Sequence, residues 1–179
     1  LTRHRSGGAW FLERLAGVHG HMNTDQSLRL RIEDLFTDYV HTIDDDRLEE
    51  WPDYFTDAGR YRIITRENHE RGLPAALIYC DGKGMLRDRI SAMRKANVFD
   101  PQTYCHTGGA VQVVGADDDG IQVRSNFTVI RTLSDGAMST FACGRYLDRI
   151  TEEDGALKFA ERTVVIDSRR VDTLLVIPL

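Results

Sequence analysis

The chain has 179 residues, 41% of them hydrophobic, and a net charge of −5 from 23 basic and 28 acidic side chains. That size suits one domain with a real core, and no stretch approaches the roughly 20 apolar residues of a membrane helix. No basic block or arginine stripe stands out, which argues against nucleic-acid binding.

Leu1–His21 holds Arg3, Arg5 and Arg14 with one acid, Glu13. Its apolar run Ala9–Leu12 is too short for a signal core. Met22 follows Gly20-His21, so it reads as the native start. Residues 1–21 then read as vector-derived or a mis-assigned start, and 22–179 as a single domain.

Leu28, Ile32, Leu35, Phe36, Tyr39 and Ile43 recur at helical spacing and predict an amphipathic helix, with Asp25 as a candidate cap. Asp44-Asp45-Asp46 breaks it, and Asp46 is placed to cap a short helix over Leu48–Trp51. Arg60–Thr65 alternates as a strand, Arg66–Pro74 reads as a loop, and Ala75–Cys80 as a second strand. Leu86, Ile90 and Met93 place a second helix over Met85–Asn97, stopped by Pro101.

Beyond Pro101 come four long segments rich in Val, Ile, Thr, Phe and Tyr: Thr103–Gly115, Ile121–Leu133, Ala137–Ile150 and Leu157–Val171. Asp119-Gly120, Asp135-Gly136 and Asp154-Gly155 separate them, and Asp-Gly between such runs signals a hairpin. Helices first and a meander after predict an α+β fold, a curved antiparallel sheet closing on the helices as a cone.

Candidate chemistry is sparse. Outside the leader the histidines are His41, His69 and His106, and no two lie three to five residues apart, as local metal pairs require. Cys80, Cys105 and Cys143 form no C-x-x-C pair and read as reduced thiols in a cytoplasmic protein. A Rieske cluster needs two cysteine–histidine pairs, and only Cys105-His106 is adjacent. There is no G-x-S-x-G elbow, and Gly82-Lys83-Gly84 lacks phosphate-loop spacing. Acid–base work inside a cone would fall to His41 with Asp44 or His106 with Tyr104, although an exposed His41 and a structural His106 are the simpler reading. Trp51, Tyr54 and Phe55 read as a core plug.

The apolar end, Leu174, Leu175, Val176, Ile177 and Leu179 around Pro178, must be buried in its own cone or in a neighbour. These residues, with Arg169 and Arg170 as cationic partners, are the candidate subunit interface.

From about Leu28 to Leu179 the sequence resembles the β subunits of aromatic-ring-hydroxylating dioxygenases. The segments that carry the resemblance are Trp51–Asp57, Arg66–His69, Gly84–Ile90, Phe141–Asp148, Asp167–Leu175 and Pro178-Leu179. Enzymes acting on aromatic carboxylates (terephthalate, halobenzoate, anthranilate, salicylate) are the most similar. The resemblance implies an NTF2-like cone, as in ketosteroid isomerase and scytalone dehydratase, without an active site of its own. It implies an α3β3 assembly whose α subunit carries a Rieske [2Fe–2S] cluster and mononuclear non-haem Fe(II). Electrons would come from NADH through a reductase, sometimes with a ferredoxin. A free-standing cone-fold isomerase or dehydratase and a small-ligand binding module are the competing readings.

Overall fold

The structure, a computed structural model, describes the backbone of residues 8–96, 101–168, 175 and 177–179, and the side chains among these from residue 26 onward. Helix α1 spans Gly8–Asp44. It therefore begins well before the predicted stripe, and Asp25 lies within it rather than capping it. Ile32, Leu35, Phe36, Tyr39 and Ile43 are buried, as their spacing requires. The helix ends where Asp46 turns into the left-handed region at φ 58°, which a short polar residue tolerates. Arg94 fixes this turn, pairing with Asp46 at 2.8 Å and Glu49 at 2.9 Å. Asp46 is thus clamped and caps no helix. The predicted short helix appears later, as a 3-10 turn over Trp51–Tyr54 entered through Pro52.

Strand β1 (Phe55–Thr65) is longer than predicted. The expected loop after it contains α2 (Arg66–Glu70), which Thr65 caps by accepting from the Asn68 amide at 3.3 Å. Strand β2 (Ile78–Asp81) and helix α3 (Lys83–Ala96) follow, α3 burying Leu86, Ile90 and Met93. The predicted strand Thr103–Gly115 is two strands, β3 (Gln102–Gly108) and β4 (Gln112–Asp117), broken at Gly108-Gly109. The Gly109 amide bonds Asn126 across the break, and both strands pair with β5 (Gly120–Leu133). Then come β6 (Met138–Glu153) and β7 (Ala156–Ile166). Asp154 and Gly155, both at positive φ, make the tight β6–β7 turn.

The sheet order is β2-β1-β7-β6-β5-β3, with β4 also on β5. The meander is antiparallel as predicted, but β1 pairs with β7 in parallel, so the sheet is mixed. No hairpin joins β1 to β7, so nothing local fixes their relative direction. Residues of α1 and α3 share one core with the inward side chains of the curved sheet.

Candidate functional site

Pairing across the inner face sets Asp148 opposite Arg162, and Arg162 opposite Tyr61. The Arg162 guanidinium meets the Asp148 carboxylate in two bonds of 2.9 Å, and neither side chain has exposed surface. Four rings enclose the guanidinium, with centroids at 4.0 Å for Phe159, 4.1 Å for Tyr39, 4.2 Å for Tyr146 and 4.6 Å for Phe36. Desolvating two charges is expensive, and the fork geometry together with the ring faces offsets it. Burial opposes charge on Arg162, yet Asp148 more than compensates and the guanidinium stays cationic. Burial pushes the Tyr39, Tyr61 and Tyr146 phenols up, so all three stay protonated.

Protonated phenols are what the chain's end requires. Tyr39 donates to the Leu179 carbonyl oxygen at 2.9 Å and Tyr61 to the same oxygen at 3.3 Å. The Leu179 amide donates back to the Tyr61 hydroxyl at 2.9 Å. Ile177, Pro178 and Leu179 are buried in their own chain's core, while Leu175 is half-buried, with Arg89 donating to its carbonyl. Among the candidate interface residues, Arg169, Arg170, Leu174 and Val176 lie outside the described residues.

A second polar group sits at the rim of the cone. Asp44, at the end of α1, takes the His106 ring at Nδ1 (2.6 Å) and the His106 backbone amide (2.8 Å). The imidazole is completely buried, and its Nε2 has no partner. Beside the pair is a cleft of about 440 Å³ lined by Ile43, Asp44, Met93, Tyr104, Leu133 and Ile177. Tyr104 stacks edge-on against Phe141, and its hydroxyl has no partner. The arrangement corrects both candidate pairings: Asp44 holds His106 rather than His41, and Tyr104 holds neither. His41 is exposed on α1, and His69 lies apart on α2. An imidazole oriented by a carboxylate has the form of an acid–base dyad, but this ring has no surface to offer a substrate.

Trp51 is a core plug, edge-on to Phe55 at 5.5 Å and Tyr61 at 5.0 Å. The three cysteines are unpaired. Among the described residues no three His, Cys, Asp or Glu side chains converge as a metal site. The donors among the described residues therefore do not fit a Rieske cluster or a mononuclear iron.

Sequence reasoning missed Arg162 altogether and met Asp148 only as the end of a family segment. A signal existed. The two residues lie at similar distances from the Asp154-Gly155 turn, on the apolar side of their strands, where unpaired charge is not tolerated.

Comparison with known proteins completes the description. Residues 40–173 match the family model of the ring hydroxylating beta subunit. The anthranilate 1,2-dioxygenase small subunit of Burkholderia cepacia is 36% identical over 141 residues, 79% of this chain and 88% of that one. Subunit beta 1 of the terminal oxygenase component of terephthalate 1,2-dioxygenase from a Comamonas species is 39% identical over 141 residues, covering 79% and 92%. A crystal structure from Novosphingobium aromaticivorans, described as the beta subunit of an aromatic-ring-hydroxylating dioxygenase, superposes with a TM-score of 0.80 at 38% identity, covering 87% of this chain and 99% of that one. The beta subunit of benzoate 1,2-dioxygenase from Burkholderia mallei, at 20% identity and a TM-score of 0.63, shares the fold. With that family's segments in order along the sequence and its model matched over most of the length, this chain belongs to the ring-hydroxylating dioxygenase β subunits.

Proposed function

We propose that this chain is the structural β subunit of an oxygenase that adds O2 to an aromatic carboxylate, assembled with its α subunit as α3β3. In this reading α holds the Rieske [2Fe–2S] cluster and the non-haem Fe(II), and a reductase, with or without a ferredoxin, feeds it electrons from NADH. The observation that carries it is the filled cone. Where a cone-fold enzyme would need a substrate cavity, Arg162, Asp148, four aromatic rings and Leu179 occupy the space. The aromatic-carboxylate class rests on the names of the anthranilate and terephthalate relatives. No helix among the described residues is long and apolar enough to cross a membrane, which accords with a cytoplasmic oxygenase. In this reading the tail anchors through Ile177 and Leu179, and the half-buried Leu175 meets the neighbouring subunit.

Co-expression with the neighbouring reading frames tests the proposal. A red-brown protein carrying cluster and iron is expected to co-purify with this chain, while the separately purified chain holds neither. Near-stoichiometric iron in the isolated chain, or no iron protein in the co-purified material, would refute it. The buried Asp44–His106 pair is the one feature favouring a free-standing isomerase, and the His106 variant discussed below separates the two readings.

A further inference from the structure

Arg162, Asp148 and Leu179 fill the interior of the cone, but its rim stays open. The cleft beside the Asp44–His106 pair lies where the end of α1 meets α3, β3 and the far end of β5. Its volume of about 440 Å³ falls within the range of small-molecule sites, roughly 300–1,000 Å³. Ile43, Met93, Leu133 and Ile177 supply an apolar wall large enough for one ring.

The polar groups of the lining divide into spent and unspent. Arg94 is spent: all three of its nitrogens donate to Asp46 or Glu49, and both Asp46 carboxylate oxygens accept from it. Arg131, opposite Tyr104 on β5, lies over the Phe141 ring and is not in the lining. The cleft therefore offers no free cation to an anionic ligand. Two groups keep capacity. Each Asp44 oxygen accepts one bond from His106, at 2.6 and 2.8 Å, and an ionised carboxylate accepts about four. The Tyr104 hydroxyl bonds nothing among the described residues. Burial pushes this phenol up, against a smaller opposing pull from Arg131, so it stays a donor. A buried hydroxyl without a partner is costly.

An unused acceptor and an unused donor at the edge of an apolar cleft select one functional group. A ligand carboxylate has no proton for Asp44, and an ammonium has no lone pair for Tyr104, whereas a hydroxyl both donates and accepts. We propose that the rim cleft binds a small uncharged ring compound bearing a hydroxyl group, of which phenol is the simplest. The ring lies on the apolar wall, and its hydroxyl donates to Asp44 and accepts from Tyr104 as that partly exposed side chain swings toward it. The site binds without turnover, because the His106 ring behind Asp44 is sealed from the ligand. It lies outside the filled interior and is independent of the β-subunit reading.

The test is methyl NMR of the full chain, alone and assembled with its iron-bearing partner, titrated separately with phenol, benzoate and benzylammonium. Phenol is expected to shift the methyl signals of Ile43, Met93, Leu133 and Ile177 saturably in both forms. Tyr104→Phe keeps the ring and is expected to weaken phenol about fivefold, the loss of one hydrogen bond. Leu133→Trp fills the cleft and is expected to abolish binding; if that variant fails to fold, Tyr104→Phe still decides. The proposal is overturned if those methyls do not respond, if Tyr104→Phe binds phenol as the wild type does, or if benzoate or benzylammonium binds as tightly as phenol. Binding confined to the unassembled chain overturns it as well.

Discussion

Removing either member of the Arg162–Asp148 pair leaves a charge sealed in the core without its partner, at a cost of roughly 3–5 kcal/mol. Asp148→Asn is expected to lower the urea midpoint sharply, whereas Arg162→Met combined with Asp148→Leu, which removes both charges and keeps the volume, is expected to cost less than either single change. If Asp148→Asn unfolds at the wild-type midpoint, the pair contributes nothing to stability. His106→Ala belongs to the same scale. It strips the Asp44 carboxylate of its ring partner and is expected to cost about 1–3 kcal/mol. Turnover of the assembled oxygenase should follow assembly alone; a variant with full iron content and a rate about a hundredfold down would restore the catalytic reading. These partnerships were hard to read in advance because Asp44 and His106 are 62 positions apart. Helical proximity suggested His41 for Asp44, but three positions along a helix that ends there leave His41 facing water.

The Arg94 clamp shows what an element needs beyond its own pattern. The apolar stripe of α1 was legible in the sequence to within a residue or two at its C-terminal end. The turn that follows was not, because α3 supplies the arginine that shapes it. The Arg94 guanidinium holds the exposed Glu49 carboxyl below its ordinary range. A depressed carboxylate contributes fully above its unfolded pKa, and the contribution fades as pH falls through the folded value. Amide exchange across Arg47–Glu50 is therefore expected to quicken on acidification, and exchange unaffected between neutral and acid pH would show the clamp to be idle. At the other end of α1, deleting residues 1–21 is expected to leave the melting temperature unchanged, since the packed stripe begins at Leu28. A large fall would show that the first turns of α1 add to the packing of the domain. The Asp-Gly turns were legible because a glycine at positive φ (Gly120, Gly136, Gly155), joined by Asp154 in the β6–β7 turn, specifies a hairpin locally. The split into β3 and β4 was not, because both halves alternate as one strand would and only their common partner β5 separates them.

For the molecule as a whole, the α+β class and the cone followed from helices preceding a meander, whereas the apolar tail pointed equally to its own cone or to a neighbour, since the choice depends on the last residues returning to the first helix. Truncation before Leu174 removes Ile177 and Leu179 from the core, worth roughly 1.5–3 kcal/mol each, and strands the Tyr39 and Tyr61 hydroxyls. Insoluble or unassembled protein is expected by light scattering, and a truncated chain that forms the full assembly at normal stability would sink the idea. The parallel pairing of β1 with β7 has a kinetic consequence. Arg60 meets a partner made 101 residues later, so the ribosome must finish nearly the whole chain before the sheet can close. Until then β1 and β6 each present an open edge, the kind of surface on which nascent chains join one another. Contacts so distant in sequence slow folding, and a partner able to shelter those edges during synthesis would raise the yield of folded protein without altering its final stability.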